Sequence, residues 1–409
     1  MSTASTDRAA RRTSFREVLG VREFRALWLA QAQSLAGDQL ARVALSVLVF
    51  GHTHSTALTA LVYALTFVPA ILGGVLFGGL ADRFPRREVM VACDAASAVG
   101  VLVMSIPAVP LGATCAVLVV VVLVGQPLAA AQAALLPEVV GGERYVLGMG
   151  LRMLTGQSAQ LAGFAVGGVT VAAIGAHGAL SLDALTFAVS AVIVRLFVRE
   201  RPRPPVAAPR RRWTPGRVRA TGRFVWQDRR LRTLVGLGWL AALHVVPEAL
   251  AAPYAADLGG GAIAVGLLMA APPAGTAIGV LVFLRFTPQR RARLMGPLAV
   301  ASAVPMIACA TRPGLGVSIV LWALLGAFAA YQVQAAAAFV QLVPDTRRGR
   351  VLGLVGSGMS AVQGLGVLGF GFLGQHMGAA DAVALAGAVA AVLGVGLAVA
   401  STRAWRASG

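Results

Sequence analysis

Lysine is absent from this chain, and charge of any kind is scarce. Aspartate, glutamate and arginine together make up 12% of its 409 residues, about half of what a soluble globular protein carries. That excludes a water-soluble fold, as do 57% hydrophobic residues and a mean hydropathy of +0.78. Cysteine is rare as well. Cys93, Cys115 and Cys309 lie in apolar runs at no metal-ligand spacing, which leaves them as packing residues. The sequence has no metal-ligand cluster, nucleophile elbow, phosphate loop or ATP-binding motif. It therefore reads as no enzyme and calls for neither metal nor cofactor. The arginine-rich N-terminal segment passes straight into an apolar stretch without a small-residue cleavage site, so no removable signal peptide is expected.

What the chain has instead is a series of long apolar runs. A helix crossing hydrocarbon needs about 20 apolar residues, and short connections leave room here for about twelve. Strands of a membrane barrel would alternate over about ten residues, whereas these runs are apolar on every side. The expected fold is an all-α membrane protein with spans at about 24–50, 57–80, 89–106, 113–136, 145–174, 180–197, 233–257, 262–286, 293–310, 315–342, 351–376 and 380–400.

Between the sixth and seventh spans, residues 199–232 turn to proline and arginine, with Arg210, Arg211 and Arg212 at the centre. The expected organisation is a tail (1–23), a first half (24–198), this linker (199–232), a second half (233–400) and a second tail (401–409). Val218, Phe224, Val225 and Trp226 among the linker arginines read either as an interfacial helix on an anionic surface or as a solvated connection. An offset of 207 maps Arg16, Arg22 and Arg25 onto Arg223, Arg229 and Arg232, and Pro137-Glu138 onto Pro344-Asp345, as a duplication of six helices would.

A net charge of +19 and a pI of 11.7 would suggest nucleic acid if the arginines formed one surface. They are sorted by side instead. With few exceptions, Arg42 inside a span and Arg312 in a loop on the other side among them, they gather in the tail and in alternate loops. That is the positive-inside pattern. It places both termini in the cytoplasm, implies a bilayer and not a nucleic acid as the surrounding partner, and leaves few charges to weigh singly.

An ionisable group at mid-bilayer costs several kcal/mol, so each such residue needs a reason. Asp38 lies about 16 Å into the first span, with Arg42 at i+4 on the same face. The two read either as a self-neutralising pair or as a substrate or proton site. Glu248 follows Pro247, about 21 Å along the seventh span, with no base at helical spacing. An unpaired carboxyl in an apolar cavity is a candidate proton carrier; His244, four residues earlier, reads either as a partner that shares the proton or, as a lone histidine in an apolar helix more often is, as a hydrogen-bonded packing residue. Asp94 lies about 8 Å, and Arg152 about 10 Å, from the arginine-rich side, which leaves an Asp94–Arg152 pair between helices open and favours a structural or gating role for both over substrate contact. The proton-coupling candidates are thus Glu248, Asp38 and Asp94. Asp183 and Asp257 are expected at the opposite boundary, within reach of water. Gln132, Gln157, Gln160, Tyr331, Gln332, Gln334 and Gln363 are neutral candidates to line a cavity, with Trp322 as an aromatic wall.

One turn carries more information than any span. Gly78-Gly79-Leu80-Ala81-Asp82-Arg83-Phe84-Pro85-Arg86-Arg87 resembles the G-x-L-x-D-R-x-G-R-R/K signature of the major facilitator superfamily. It agrees at nine of ten positions, with Pro85 in place of the usual glycine. Gly163-Phe164-Ala165-Val166-Gly167-Gly168 is similar to the fifth-helix G-P-x-x-G-G motif of the superfamily's antiporters, with Phe164 in place of proline. The resemblance covers the whole chain. It implies a bacterial, drug-efflux-like, inner-membrane transporter with two pseudo-symmetric six-helix halves around a cavity. Alternating access, driven by protons, would export a small amphiphilic solute (a drug, antibiotic or siderophore-like compound), and a monomer would suffice. The rivals are an importer of a nutrient or siderophore and a transport-inactive sensor or scaffold. The resemblance also implies a gating group of Gly78, Asp82, Arg83, Arg86 and Arg87. Its acid, Asp82, would dock at the start of the eleventh helix near Val351, beside Arg347, Arg348 and Arg350.

Overall fold

The structure, a computed structural model, describes residues 15–67, 69, 73, 80–141, 143–201 and 215–406. Among these, every regular element is helical, because in hydrocarbon a backbone that does not close its own hydrogen bonds has no water to turn to. α1 (Phe15–Gly20) leads into α2 (Arg22–Thr53), whose end is turned by His54 at φ 47°. α3 (Thr56–Ala64) starts at Ser55, whose side chain accepts the Leu58 N–H. α4 (Leu80–Arg83), α5 (Arg86–Met104) and α6 (Leu111–Val139) follow.

α7 (Glu143–Phe197) has 55 residues, about 80 Å of helix against a hydrocarbon core of about 30 Å. It folds back at Gly175 (φ 74°, ψ 169°), a conformation that glycine adopts freely. The turn expected over several residues there is made by this one. Gly378 (φ 94°) makes the matching reversal in the second half, between α17 (Asp345–Met377) and α18 (Ala379–Arg406).

The linker region forms α8 (Pro215–Gln227). Its Val225 is buried and packs with Phe224 against Val351 and Val355, while Trp226 stays half-exposed, edge-on to Trp239. The seventh span, expected to be continuous, is broken into α9 (Arg229–Leu240), α10 (Val245–Ala249) and α11 (Ala251–Asp257), with a 48° bend. α9 is capped by Asp228, which accepts the N–H groups of Arg230 and Leu231. Then come α12 (Ala262–Phe283), α13 (Pro288–Ala301), α14 (Val304–Ala308), α15 (Leu315–Phe328) and α16 (Tyr331–Leu342).

Among the described residues, eight helices are long and apolar enough to cross a membrane, or nine if the bent pair is one span. α7 enters that count once although it reverses at Gly175. α5 is absent from it, having Arg86, Arg87, Glu88 and Asp94 within 19 residues. The second expected span, 57–80, lies partly outside the described residues. Val99, Val120, Leu196, Leu281 and Val392 are each more than half exposed, the surface a protein presents when its solvent is hydrocarbon.

Candidate functional site

The main apolar core joins the halves. Leu40, Val43 and Phe164 of the first half share it with Leu250, Val265 and Leu268 of the second. Small residues let the backbones meet. A Cβ on Gly168 of α7 would stand 2.8 Å from the Ala262 carbonyl and 2.9 Å from Gly266 Cα in α12, and one on Gly371 of α17 would collide with Ala60 in α3. Beside them Gln375 Oε1 accepts the Ser55 hydroxyl at 2.9 Å and the Ala57 N–H at 3.2 Å. These contacts lie at the arginine-poor end, where His54, Gly175 and Gly378 turn the chain.

Deeper in the same seam, the Tyr63 hydroxyl of α3 donates to Glu248 Oε2 of α10 at 2.9 Å, in a buried contact. Arg42 of α2 lies 5.8 Å from the centre of the Tyr63 ring and 5.9 Å from that of Phe67. Its charge reaches both Glu248 and Asp38. The seam therefore places a carboxyl of the second half against a phenol and a guanidinium of the first.

Two further polar groups belong to the first half. Asp94 is 1% exposed and Asp183 likewise. Asp94 Oδ2 accepts the Ser190 hydroxyl at 2.7 Å, while its Oδ1 has no partner. The Thr186 hydroxyl lies 3.2 Å from Asp183 Oδ1, and both residues press on Gly37, where a Cβ would collide with them. Nearer the arginine-rich end, Phe24, Leu27, Trp28, Gln31, Gln132, Leu136 and Arg152 line a cleft between α2, α6 and α7.

At the arginine-rich end itself, several ion pairs among the described residues tie the first half to the start of the linker. Arg86 donates to Glu138 and to the Ala134 carbonyl, Arg87 to Glu200 and to the Arg195 carbonyl, and Arg195 to Glu88. Arg201 is bound by Glu23, whose hydrogen bonds raise the guanidinium pKa further above its usual value.

The sequence model of the Major Facilitator Superfamily matches residues 27–247, more than half of the chain. The chain belongs to the Major Facilitator Superfamily. Among curated protein sequences none matches it. Its fold is similar to that of a bacterial homologue of the human lysosomal transporter Spinster in an inward-facing, occupied conformation, at TM-score 0.74 and 16% identity over 94% of this chain and 97% of that one. A mutant of the nucleoside transporter NupG gives 0.73 and 13% over 93% and 99%. A mutant of the peptide transporter POT gives 0.72 and 13% over 97% and 96%. At such identities the superfamily fold is what they share.

Within this superfamily chain, several expected residues have other partners than the sequence suggests. Asp38 and Arg42 form no ion pair within 4.0 Å among the described residues; Arg42 turns to the aromatic rings instead. Glu248 is not alone, because Tyr63 reaches it from the other half. His244 takes the place of a hydrogen-bonded packing residue: the turn between α9 and α10 brings its ring to Ser302, with Nε2 and Oγ 3.1 Å apart. Asp94 binds Ser190 and not Arg152, the partner its depth left open. Asp183 is buried, not wet; Asp257 is exposed as expected. Trp322 and Tyr331 are packing residues: Trp322 lies against Tyr254 and the Tyr331 hydroxyl donates to the Leu237 carbonyl.

Gln132 lines the cleft. Gln157 is exposed, while Gln160, Gln332, Gln334 and Gln363 are half-buried. Gly163 and Gly167 of the fifth-helix motif meet α2 at Ala36 and Leu40, while Gly168 meets the other half. Gly78 and the Asp82 side chain lie outside the described residues, so the expected latch to α17 does too. Arg83 is exposed, and Arg347 stacks over Phe224 of α8 at 4.9 Å.

Sequence reasoning passed over Tyr63, Ser190, Gln31 and Trp28. Two signals were there to find: Tyr63 is one of four tyrosines, and Asp183, Thr186 and Ser190 fall at i, i+3 and i+7, one face of a helix.

Proposed function

We propose that this protein is a secondary active transporter that exports a small amphiphilic solute in exchange for protons. It acts as a monomer of two six-helix halves, 24–198 and 233–400, in a bacterial inner membrane. The arginine-rich end and both termini face the cytoplasm by the positive-inside rule. On that orientation the seam closes the outer side.

The observation that carries the reading is the Tyr63–Glu248 contact across the halves. An ionised Glu248 accepts the phenol proton strongly and attracts Arg42. A protonated one loses most of both interactions, so the protonation state of Glu248 sets how firmly the seam holds the two halves together. Asp38, within reach of the same Arg42, competes for that guanidinium and couples the first half to the exchange. Solute and proton then bias the same rocking motion in opposite directions, which is antiport.

The test is uptake into energised inverted vesicles of a fluorescent panel, cationic ethidium and acidic rhodamine 110 among them. Uptake abolished by a protonophore is expected. Uptake indifferent to the protonophore, or none for any compound, contradicts the reading. Phe164, standing where antiporters keep a proline, favours the second reading, import, for which right-side-out vesicles would accumulate the solute instead.

A further inference from the structure

The seam uses Glu248, Tyr63 and Arg42, and the two buried aspartates have hydroxyl partners. Arg152 remains. It is a half-buried guanidinium inside a span with no carboxylate within 4.0 Å among the described residues. The Tyr145 phenol is an electrostatic neighbour. A desolvated guanidinium without a counter-charge is costly, and the described residues supply none.

Its surroundings are those of a head-group site. Gln31 of α2 and Gln132 of α6 share the cleft with Arg152, and neither makes a hydrogen bond within the chain among the described residues. Two primary amides and one guanidinium thus offer N–H donors to a single small space. Its volume, about 10 Å³, admits one water-sized group, such as an acid's oxygen. Phe24, Leu27, Leu136 and Trp28 form the apolar walls. Trp28 is fixed in place, its Nε1–H donating to Thr155 Oγ1 at 2.6 Å.

We propose that this cleft binds the acid head of a small amphiphilic organic anion. One carboxylate oxygen enters the cleft and takes donors from Arg152, Gln31 and Gln132, while the rest of the molecule stays outside at the cleft's edge. Arginine is suited to this because its charged N–H groups bond a carboxylate oxygen strongly. The inference names the substrate class for the transport reading and rests on it; the binding itself needs no gradient. It also explains why Arg152 and Asp94 stay apart: an internal salt bridge would quench the charge that selects the solute.

The experiment compares rhodamine 110, a carboxylic acid, with its methyl ester, rhodamine 123, by fluorescence polarisation on the purified full chain in neutral detergent. The wild type is expected to bind the acid about tenfold more tightly than the ester, the size of a charge-assisted contact. Arg152→Met removes the preference and Arg152→Lys keeps part of it. Gln31→Leu and Gln132→Leu each weaken the acid about fivefold, a hydrogen bond's worth, and leave the ester unchanged. Equal affinities, no binding of the acid, or a preference that survives Arg152→Met would overturn the proposal. So would displacement of the acid by phosphatidylglycerol and not by phosphatidylcholine, which assigns the cleft to a lipid head group. Acid binding without protonophore-sensitive uptake would count against the transport reading and leave the site standing.

Discussion

The two halves divide the work unequally. The first holds Asp38, Arg42, Asp94, Arg152 and Asp183 within its spans, on α2, α5 and the α7 that reverses at Gly175. The second holds Glu248, and several of its spans are segmented: α9 to α11 bend by 48°, and breaks separate α13 from α14 and α15 from α16. Pro247 and Pro305 stand at the starts of such short pieces, where a proline removes a helical hydrogen bond. The difference teaches that the charged residues within the spans gather in one half. The other half brings the Glu248 carboxyl to the seam on a bent span.

The contrast is broken most severely at the backbone contact between the halves. Gly168→Leu would wedge α7 from α12, and transport is expected to fall by more than about tenfold, since overpacking by a whole side chain costs about 1–3 kcal/mol. A Ser55→Cys/Gln375→Cys disulfide should form less readily in the same protein. Gly156→Leu, where a Cβ meets nothing within 4 Å, is the control; equal behaviour of the two would mean that the seam does not close as described.

A smaller effect sharpens the picture of the first half. Ser190→Ala leaves neither oxygen of Asp94 with a donor, and thermal stability in detergent is expected to drop by about 1–2 kcal/mol. Ser181→Ala, on the exposed face of the same helix, should change nothing measurable. The smallest belongs to the arginine-rich end. Arg87→Ala opens a pair with the exposed Glu200, and stability should change by less than about 1 kcal/mol, less still in high salt.

How much of this was legible depends on the kind of signal. Long apolar runs and the turn at 78–87 gave away the architecture, because the bilayer fixes how long a span must be. Local geometry was harder. The reversal at Gly175 takes one residue where composition suggested five, so the sixth helix starts earlier and Asp183 sits about 10 Å further in than a boundary residue would. The break at 241–244 has no proline or glycine of its own to announce it, and it turns His244 toward Ser302. Contacts across the halves, Tyr63 with Glu248 above all, join residues 185 positions apart, which no spacing rule reaches. Trp322 and Tyr331 were misjudged because an aromatic residue on a span says nothing of which side it faces.

The measurement that bears most directly on the account is proton-driven accumulation against solute exchange, both in proteoliposomes, for the wild type, Glu248→Gln and Tyr63→Phe. The account predicts that Glu248→Gln loses accumulation under a pH gradient by about tenfold or more, as removal of a proton-transferring side chain does, while exchange at equal pH persists. Tyr63→Phe, keeping the carboxyl but losing its partner, should fall between. A Glu248→Gln protein that still concentrates its solute with the gradient would contradict the central role given to the contact between the halves.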